Sequence, residues 1–137
     1  MATPAYRIAE IALRVKDLEK MTAFYQDMLG FRLNHSVENI NFLEVGPTGC
    51  ALDGSDHPQL FALFNRNPDI DQAKSTFDHI AFEVAPEAYM GEYDRFDALG
   101  MIISERKWPD TLPWKGQSFF FRDPEDNVVE IIAALAE

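Results

Sequence analysis

Apolar and polar residues alternate over residues 8–15, and this alternation predicts a half-buried β-strand. Asp17 follows as a candidate N-cap residue. Apolar side chains then recur at helical spacing until Gly30, a residue type that commonly ends a helix. Three further strand patterns follow, over residues 31–37, 41–46 and 59–65. The first half of the chain is therefore predicted to have the order β-α-β-β-β.

The second half of the chain repeats this order. A strand pattern covers residues 77–84, and Pro86 then opens a helical pattern that Gly100 closes. The predicted buried stripe of this helix contains four residues: Tyr89, Tyr93, Phe96 and Leu99. Three more strands are predicted over residues 101–107, 117–122 and 127–133, and turn-forming residues connect the last two.

The two halves also resemble each other in sequence, about 70 positions apart. Residues 9–15 return at 78–84, residues 29–31 at 99–101, and residues 59–64 at 127–132. We therefore predict an α+β fold in which two β-α-β-β-β modules, related by internal duplication, form a single domain over residues 1–137. The first module is predicted to cover residues 6–66, the linker 67–76 and the second module 77–134. Their strands should form a curved mixed sheet around one cavity, with both helices outside.

Size and charge narrow the classes of function. The 137 residues suffice for one compact domain, and a net charge of −11 without a Lys/Arg cluster argues against nucleic acid or anionic membranes as partners. No apolar run approaches the roughly 20 residues of a membrane-spanning helix. The first seven residues also lack the apolar stretch of a signal peptide. The single cysteine excludes an internal disulfide, so we expect a cytoplasmic protein.

Strand parity gathers ionisable residues on one face of the predicted sheet. If the apolar residues of each strand pack on the helices, then Glu10, His79 and Glu130 share the opposite face, where alanines at positions 12, 62 and 81 leave space. Two carboxylates and an imidazole suit a divalent metal ion, because a cation removes the repulsion between the carboxylates. The alternative is structural: His79 would be a buried, hydrogen-bonded histidine, and Glu10 would pair with Arg14 or Arg7.

Three motifs together resemble a known family. They are Asp78-His79-Ile80-Ala81-Phe82-Glu83-Val84, the helical region from Asp17-Leu18 to Leu29-Gly30-Phe31, and residues 119–130 with the run Asp123-Pro124-Glu125-Asp126-Asn127. On these motifs the chain resembles the vicinal oxygen chelate superfamily. That superfamily groups glyoxalase I, the extradiol ring-cleaving dioxygenases, the fosfomycin-resistance enzymes and the bleomycin-resistance proteins. The resemblance covers nearly the whole chain and implies metal ligands at the starts and ends of the paired modules.

Carried over to this sequence, the resemblance implies metal ligands at Glu10, His79 and Glu130, with Glu130 as the catalytic residue. His79 and Glu130 match the usual residue types of the family. Position 10 is usually histidine, and Ala62 stands where glyoxalase I has a fourth ligand. Extradiol dioxygenases use two histidines and one carboxylate at the three positions, whereas this chain has one histidine and two carboxylates. The expected cofactor is therefore a divalent metal ion, and its identity stays open among Mn, Fe, Mg, Ni, Co and Zn.

The resemblance implies two alternative functions. The first is a metalloenzyme, dioxygenase-like or lyase/isomerase-like, whose divalent metal chelates two vicinal oxygens of a small-molecule substrate. The second is a non-catalytic small-molecule binding protein, like the bleomycin-resistance proteins, which uses the same cavity without a metal. Five residues are candidates for the substrate pocket: Ala62, Ala81, Trp108, His35 and His57. Family members commonly pair, so a homodimer is expected.

Overall fold

A computed structural model describes residues 8–46, 58–65, 77–107 and 115–134. The chain divides into two compact units, Met1–Gln72 and Ala73–Glu137. Within the described residues, each unit contains one four-stranded mixed sheet. This confirms the predicted α+β class with two β-α-β-β-β modules. No helix in the described ranges is long and apolar enough to cross a membrane.

The first unit contains β1 (Glu10–Arg14), α1 (Leu18–Leu29), β2 (Arg32–Val37), β3 (Ile40–Glu44) and β4 (Leu60–Phe64). The strands lie in the order β1-β4-β3-β2. β1 and β4 are parallel, and the other two pairs are antiparallel. The first and last strands of the module are therefore neighbours in the sheet.

Local sequence explains the bounds of α1. The side chain of Asp17 accepts a hydrogen bond from the backbone N–H of Lys20 at 3.0 Å, which satisfies a donor in the first turn. Gly30 follows the last helical residue with a φ of 67°, a left-handed conformation that glycine adopts without steric cost. The predicted helix start and end are therefore confirmed.

The core of the first unit lies between α1 and one face of its sheet. The fully buried ring of Tyr25 lies 4.6 Å from the ring of Phe61, measured between centroids. Apolar residues on the helix, on the strands and directly beside them complete this core: Leu13, Val15, Met21, Phe31, Leu43 and Leu63. The predicted parity of β1 is observed, because Leu13 is buried while Ala12 and Arg14 are exposed.

The second unit contains β5 (His79–Glu83), α2 (Tyr89–Ala98), β6 (Ser104–Lys107), β7 (Gly116–Arg122) and β8 (Val128–Ala134). Its strand order, β5-β8-β7-β6, corresponds to that of the first unit, again with a parallel pair of first and last strands. A short 3-10 turn at Pro86–Ala88 precedes α2. The buried ring of Phe96 packs against Phe119 and Phe121, so α2 covers one face of the sheet.

The end of α2 differs from the prediction. Leu99 was predicted to be buried, but it follows the helix and is 60% exposed. The backbone N–H groups of Gly100 and Met101 donate to the carbonyls of Asp97 and Phe96, a bonding pattern that closes a helix and turns the chain. Residues 101–103 belong to this connection, which is why β6 begins later than the predicted strand.

Candidate metal centre

His79 and Glu130 meet on one face of the second sheet. The imidazole Nε2 of His79 lies 3.2 Å from the carboxylate Oε2 of Glu130. The Glu130 side chain is 8% exposed and that of His79 is 38% exposed, so the pair is accessible from the histidine side. Phe120, the register partner of Glu130 on β7, packs edge-on against the His79 ring at 5.7 Å. The arrangement is a buried carboxylate next to an accessible imidazole.

A turn with a buried aspartate connects β7 to β8 and positions Glu130. Asp123 is 3% exposed, and its carboxylate accepts hydrogen bonds from the backbone N–H groups of Glu125 and Asn127 and from the side-chain amide of Asn127. Asp126 adopts a φ of 66° within this turn. An aspartate that binds the backbone two residues on is the usual way in which this residue type stabilises a tight turn. The predicted turn therefore sets the register of β7 against β8.

Asp78 determines which nitrogen of His79 is available. Its Oδ1 lies 2.5 Å from Nδ1 of His79. An ionised carboxylate can only accept a hydrogen bond, so Nδ1 carries the proton. In the neutral ring, Nε2 is then an acceptor that faces the carboxylate of Glu130, which is also an acceptor. Two acceptors 3.2 Å apart repel unless a cation or a proton lies between them.

This donor set fits a divalent metal ion. Metal bonds to imidazole nitrogen and carboxylate oxygen are about 2.0–2.2 Å long, so two neighbouring ligands of one ion lie about 3.0–3.5 Å apart. The separation of 3.2 Å between Nε2 and Oε2 falls in this range. A carboxylate behind the other ring nitrogen is the usual support for a metal-binding histidine. The accessible side of the ring leaves room for further ligands.

Of the other predicted site residues, Glu10 lies on β1 and Ala81 on β5. Among the described residues, no group of three or more His, Cys, Asp or Glu side chains is arranged to hold a metal ion. Glu10 lies in the first unit, exposed at the start of β1, and its role as a third ligand stays a prediction. Ala81 is exposed beside Glu130, its register partner. Trp108 and His57 lie outside the described residues.

His35 lies on β2, on the sheet face that carries Ala62. Its ring stacks on the ring of Phe42, with centroids 4.4 Å apart. Phe42 is the register partner of His35 on one side and of Ala62 on the other. The amide nitrogen of Asn34 donates to Glu44, so its oxygen accepts from Nδ1 of His35 at 2.6 Å. This assigns the proton of a neutral His35 to Nδ1 and leaves Nε2 as an acceptor. A contact of His35 or of buried Ala62 with substrate stays a prediction.

The carboxylate of Glu44 anchors this arrangement. Hydrogen bonds from Asn34 and then from Arg32 lower the pKa of Glu44 from its usual value. The carboxylate therefore stays ionised at neutral pH and remains an acceptor for the Asn34 amide.

Two residues of the second unit were missed by the sequence analysis. Asp78 supports His79, and its position directly before the histidine was the available signal. Ser118 is 1% exposed, and its Oγ has no hydrogen-bond partner. Strand parity places Ser118 on the same face of β7 as Phe120 and thus on the His79 face of the sheet. No sequence pattern identifies a buried hydroxyl group without a partner.

Known proteins resemble this chain in sequence and in fold. The chain is 26% identical over 121 residues to the glutathione transferase FosA of Serratia marcescens, covering 88% of this chain and 76% of that protein. It is 25% identical over 124 residues to the metallothiol transferase FosB of Lysinibacillus sphaericus, covering 90% and 79%. The crystal structure of the fosfomycin resistance protein FosX from Listeria monocytogenes, complexed with Mn(II) and a sulfate ion, superimposes with a TM-score of 0.67. That alignment is 25% identical and covers all of this chain and 94% of FosX.

The family relationship extends over both units. The family model of the Glyoxalase/Bleomycin resistance protein/Dioxygenase superfamily matches residues 7–131, from before β1 into β8. The match includes the positions of all three predicted metal ligands, Glu10, His79 and Glu130. The chain belongs to the Glyoxalase/Bleomycin resistance protein/Dioxygenase superfamily.

Proposed function

We propose that this protein is a divalent-metal-dependent enzyme that binds two vicinal oxygens of a small-molecule substrate. The observation that carries the proposal is the pair of His79 Nε2 and Glu130 Oε2, 3.2 Å apart, with Asp78 behind the ring. The accessible side of this pair and the Asp78 carboxylate behind the ring favour a metal-binding role over a purely structural one. The membership in a superfamily with metal-dependent relatives supports the same conclusion.

Each residue has a defined part in this proposal. His79 and Glu130 hold the metal, Asp78 keeps the His79 lone pair directed at it, and Glu10 is the proposed third ligand. A bound divalent ion would supply Lewis acidity that polarises the substrate oxygens. Glu130 is also the proposed catalytic residue, because its buried side chain lies beside His79, where the substrate oxygens would bind. A Phe120 ring next to His79 limits water on one side.

The relatives narrow the first substrates to be tested. FosA and FosB are named as a glutathione transferase and a metallothiol transferase, and FosX as a fosfomycin resistance protein. We therefore propose fosfomycin as the first candidate substrate, with glutathione or water as the second reactant. Phosphorus NMR of fosfomycin incubated with the Mn²⁺-loaded protein, with and without glutathione, distinguishes thiol transfer, hydration and no reaction.

Metal binding tests the core of the proposal. Calorimetric titration of Mn²⁺ should give one site per chain, and the substitutions Glu10→Ala, His79→Ala and Glu130→Ala should each weaken it sharply. Glu10→His should retain binding but shift the preference from Mn²⁺ or Mg²⁺ towards Fe²⁺, Co²⁺ or Ni²⁺, because imidazole is a softer ligand than carboxylate. Equal affinity of wild type and Glu10→Ala would remove Glu10 from the ligand set.

A second candidate is a non-catalytic binding protein that uses the same fold without a metal. Ala62, fully buried on β4, supports it, because the fourth ligand position of glyoxalase I then has no donor. Under this proposal, no divalent ion binds wild type, and small molecules bind equally well in the presence of EDTA. The calorimetric titration therefore decides between the two candidates.

The homodimer remains a prediction for this protein. One chain has a mass of 15.6 kDa, so light scattering of a dilute sample should give twice that value. A monomer mass under the same conditions would contradict the prediction.

A further inference from the structure

The second unit contains a cavity that does not include the His79–Glu130 pair. Its volume is about 280 Å³, and it lies between the start of α2 and the strands β6 and β7. Six of its lining residues matter here: Tyr89, Met90, Tyr93, Glu105, Lys107 and Gln117. A volume of this size is near the lower end of small-molecule sites.

The cavity and the candidate metal centre lie on opposite faces of the same sheet. His79 packs against Phe120 of β7, whereas Tyr89 and Tyr93 of α2 pack against Phe119. Adjacent residues of a strand point to opposite faces, so the sheet separates the two sites. A ligand of this cavity therefore need not compete with a metal on His79.

The walls of the cavity are aromatic. The rings of Tyr89 and Tyr93 lie 6.5 Å apart, tilted by 30°, and the Phe119 ring lies 5.7 and 5.8 Å from them. Met90 adds a thioether that is flexible and 56% exposed. These surfaces favour a planar, largely apolar ligand body.

The two tyrosine hydroxyl groups differ in their partners. Tyr93 donates to Oε2 of Glu105 at 2.7 Å, and this bond raises the pKa of Tyr93 to about 12. Tyr89 is 4% exposed, but its hydroxyl group has no hydrogen-bond partner within the described parts of the chain. Burial and then the charge of Glu105 raise the pKa of Tyr89, so its O–H stays protonated. A buried phenol at the cavity is therefore an available donor.

Cationic and amide donors lie near the same cavity. Lys107 and Gln117 are register partners on β6 and β7, and both line it. Lys107 forms no ion pair with any residue that the structure describes. The acidic residue of the cavity, Glu105, already accepts the Tyr93 hydrogen bond. The unused groups are thus donors, and two lining residues, Arg106 and Lys107, are positively charged.

We propose that this cavity is a second small-molecule site, which binds an aromatic carboxylate. The ring of the ligand would lie against Tyr89, Tyr93 and Met90. Its carboxylate would accept from the Tyr89 hydroxyl group and the Gln117 amide and pair with the Lys107 ammonium group. A neutral aromatic molecule would lose the ionic contact, and an aromatic amine would place a cation beside Lys107.

Benzoate is the probe for this site, with benzyl alcohol and benzylamine as neutral and cationic analogues. Binding is measured by NMR titration with EDTA present and is repeated in His79→Ala, so that chelation at the metal centre cannot contribute. Benzoate should bind saturably with a dissociation constant of about 1 mM. Amide shifts should cluster at Tyr89, Tyr93 and Gln117. The proposal does not depend on metal binding, so its failure and that of the proposed function are separate.

Two substitutions test the assigned contacts. Tyr89→Phe keeps the ring and removes one hydrogen bond, so benzoate affinity should fall about fivefold. Lys107→Ala should lower it about tenfold, because a charge-assisted contact is lost. Lys20→Ala, which removes a cation from α1, is the control and should leave the affinity unchanged. Circular dichroism checks that each variant is folded.

Four outcomes would overturn the proposal. The first three are the absence of saturable binding of benzoate, equally tight binding of benzylamine, and unchanged benzoate affinity in both Tyr89→Phe and Lys107→Ala. Shifts confined to the neighbourhood of His79 would also contradict it, because the ligand would then lie on the other face of the sheet.

Discussion

Asp78 is largely exposed, yet its carboxylate determines the tautomer of His79. We expect Asp78→Ala to weaken Mn²⁺ binding about tenfold, because the imidazole loses the partner that directs Nε2 towards the metal. Asp78→Asn should retain most of the affinity, since the amide oxygen still accepts from Nδ1. Calorimetric titration of both variants gives the two values. Equal losses of Mn²⁺ affinity in Asp78→Ala and Asp78→Asn would mean that Asp78 acts through its charge and not by orienting the His79 ring.

Ser118 tests how the second unit tolerates a buried polar group. Its Oγ has no partner, so Ser118→Ala should leave the free energy of unfolding unchanged or raise it by up to about 1 kcal/mol. Thr22 is the contrasting case, because its hydroxyl group donates to the Leu18 carbonyl and accepts from Asn41. Thr22→Val should lower the free energy of unfolding by about 1–2 kcal/mol. Chemical denaturation of both variants measures this difference.

A clear loss of stability in Ser118→Ala would contradict the prediction, since it would require a stabilising contact of the Ser118 hydroxyl group. Such a result would identify Ser118 as part of a hydrogen-bonded network on the His79 face.

At the scale of elements, two glycines of the helices should respond in opposite directions to alanine. Gly30 ends α1 with a φ of 67°, so Gly30→Ala should destabilise the protein by about 1 kcal/mol. Gly91 lies inside α2, and nothing lies within 4 Å of a Cβ atom added there, so Gly91→Ala should stabilise it by about 0.5–1 kcal/mol. Thermal denaturation of both variants measures the two changes in stability. A destabilised Gly91→Ala would indicate that the N-terminal part of α2 needs backbone freedom.

Elements were predictable from sequence where a local pattern determines them. The alternation of β1 and the caps of α1 depend on residues close in sequence, and both were predicted. Leu99 was placed wrongly because its spacing fits the apolar stripe of α2, whereas the hydrogen bonds of Gly100 and Met101 end the helix before it. Periodicity indicates which side of a helix is buried, but it does not determine where the helix stops.

At the scale of the whole molecule, the predicted site depends on pairing over long sequence distances. Parity placed His79 and Glu130 on one face, and the parallel pairing of β5 with β8 brings them together. The tautomer of His79 was not predictable, because it depends on a side-chain rotamer of Asp78. The orientation of His35 depends in the same way on Asn34 and Glu44, and on an irregularity in β2 pairing near Leu33 that no sequence pattern indicates.

The net charge of −11 should make stability depend on salt in two distinguishable ways. Carboxylates repel one another at low ionic strength, so NaCl from about 10 to 300 mM should raise the melting temperature by screening this repulsion. At equal ionic strength, Mn²⁺ should raise it further, because a ligand that binds only the folded state stabilises it by mass action. In His79→Ala, the NaCl effect should persist and the additional Mn²⁺ effect should disappear. A melting temperature that falls with NaCl would mean that ion pairs such as Arg32–Glu44 stabilise the protein by more than the general repulsion destabilises it. An undiminished Mn²⁺ effect in His79→Ala would mean that the ion binds at a different site.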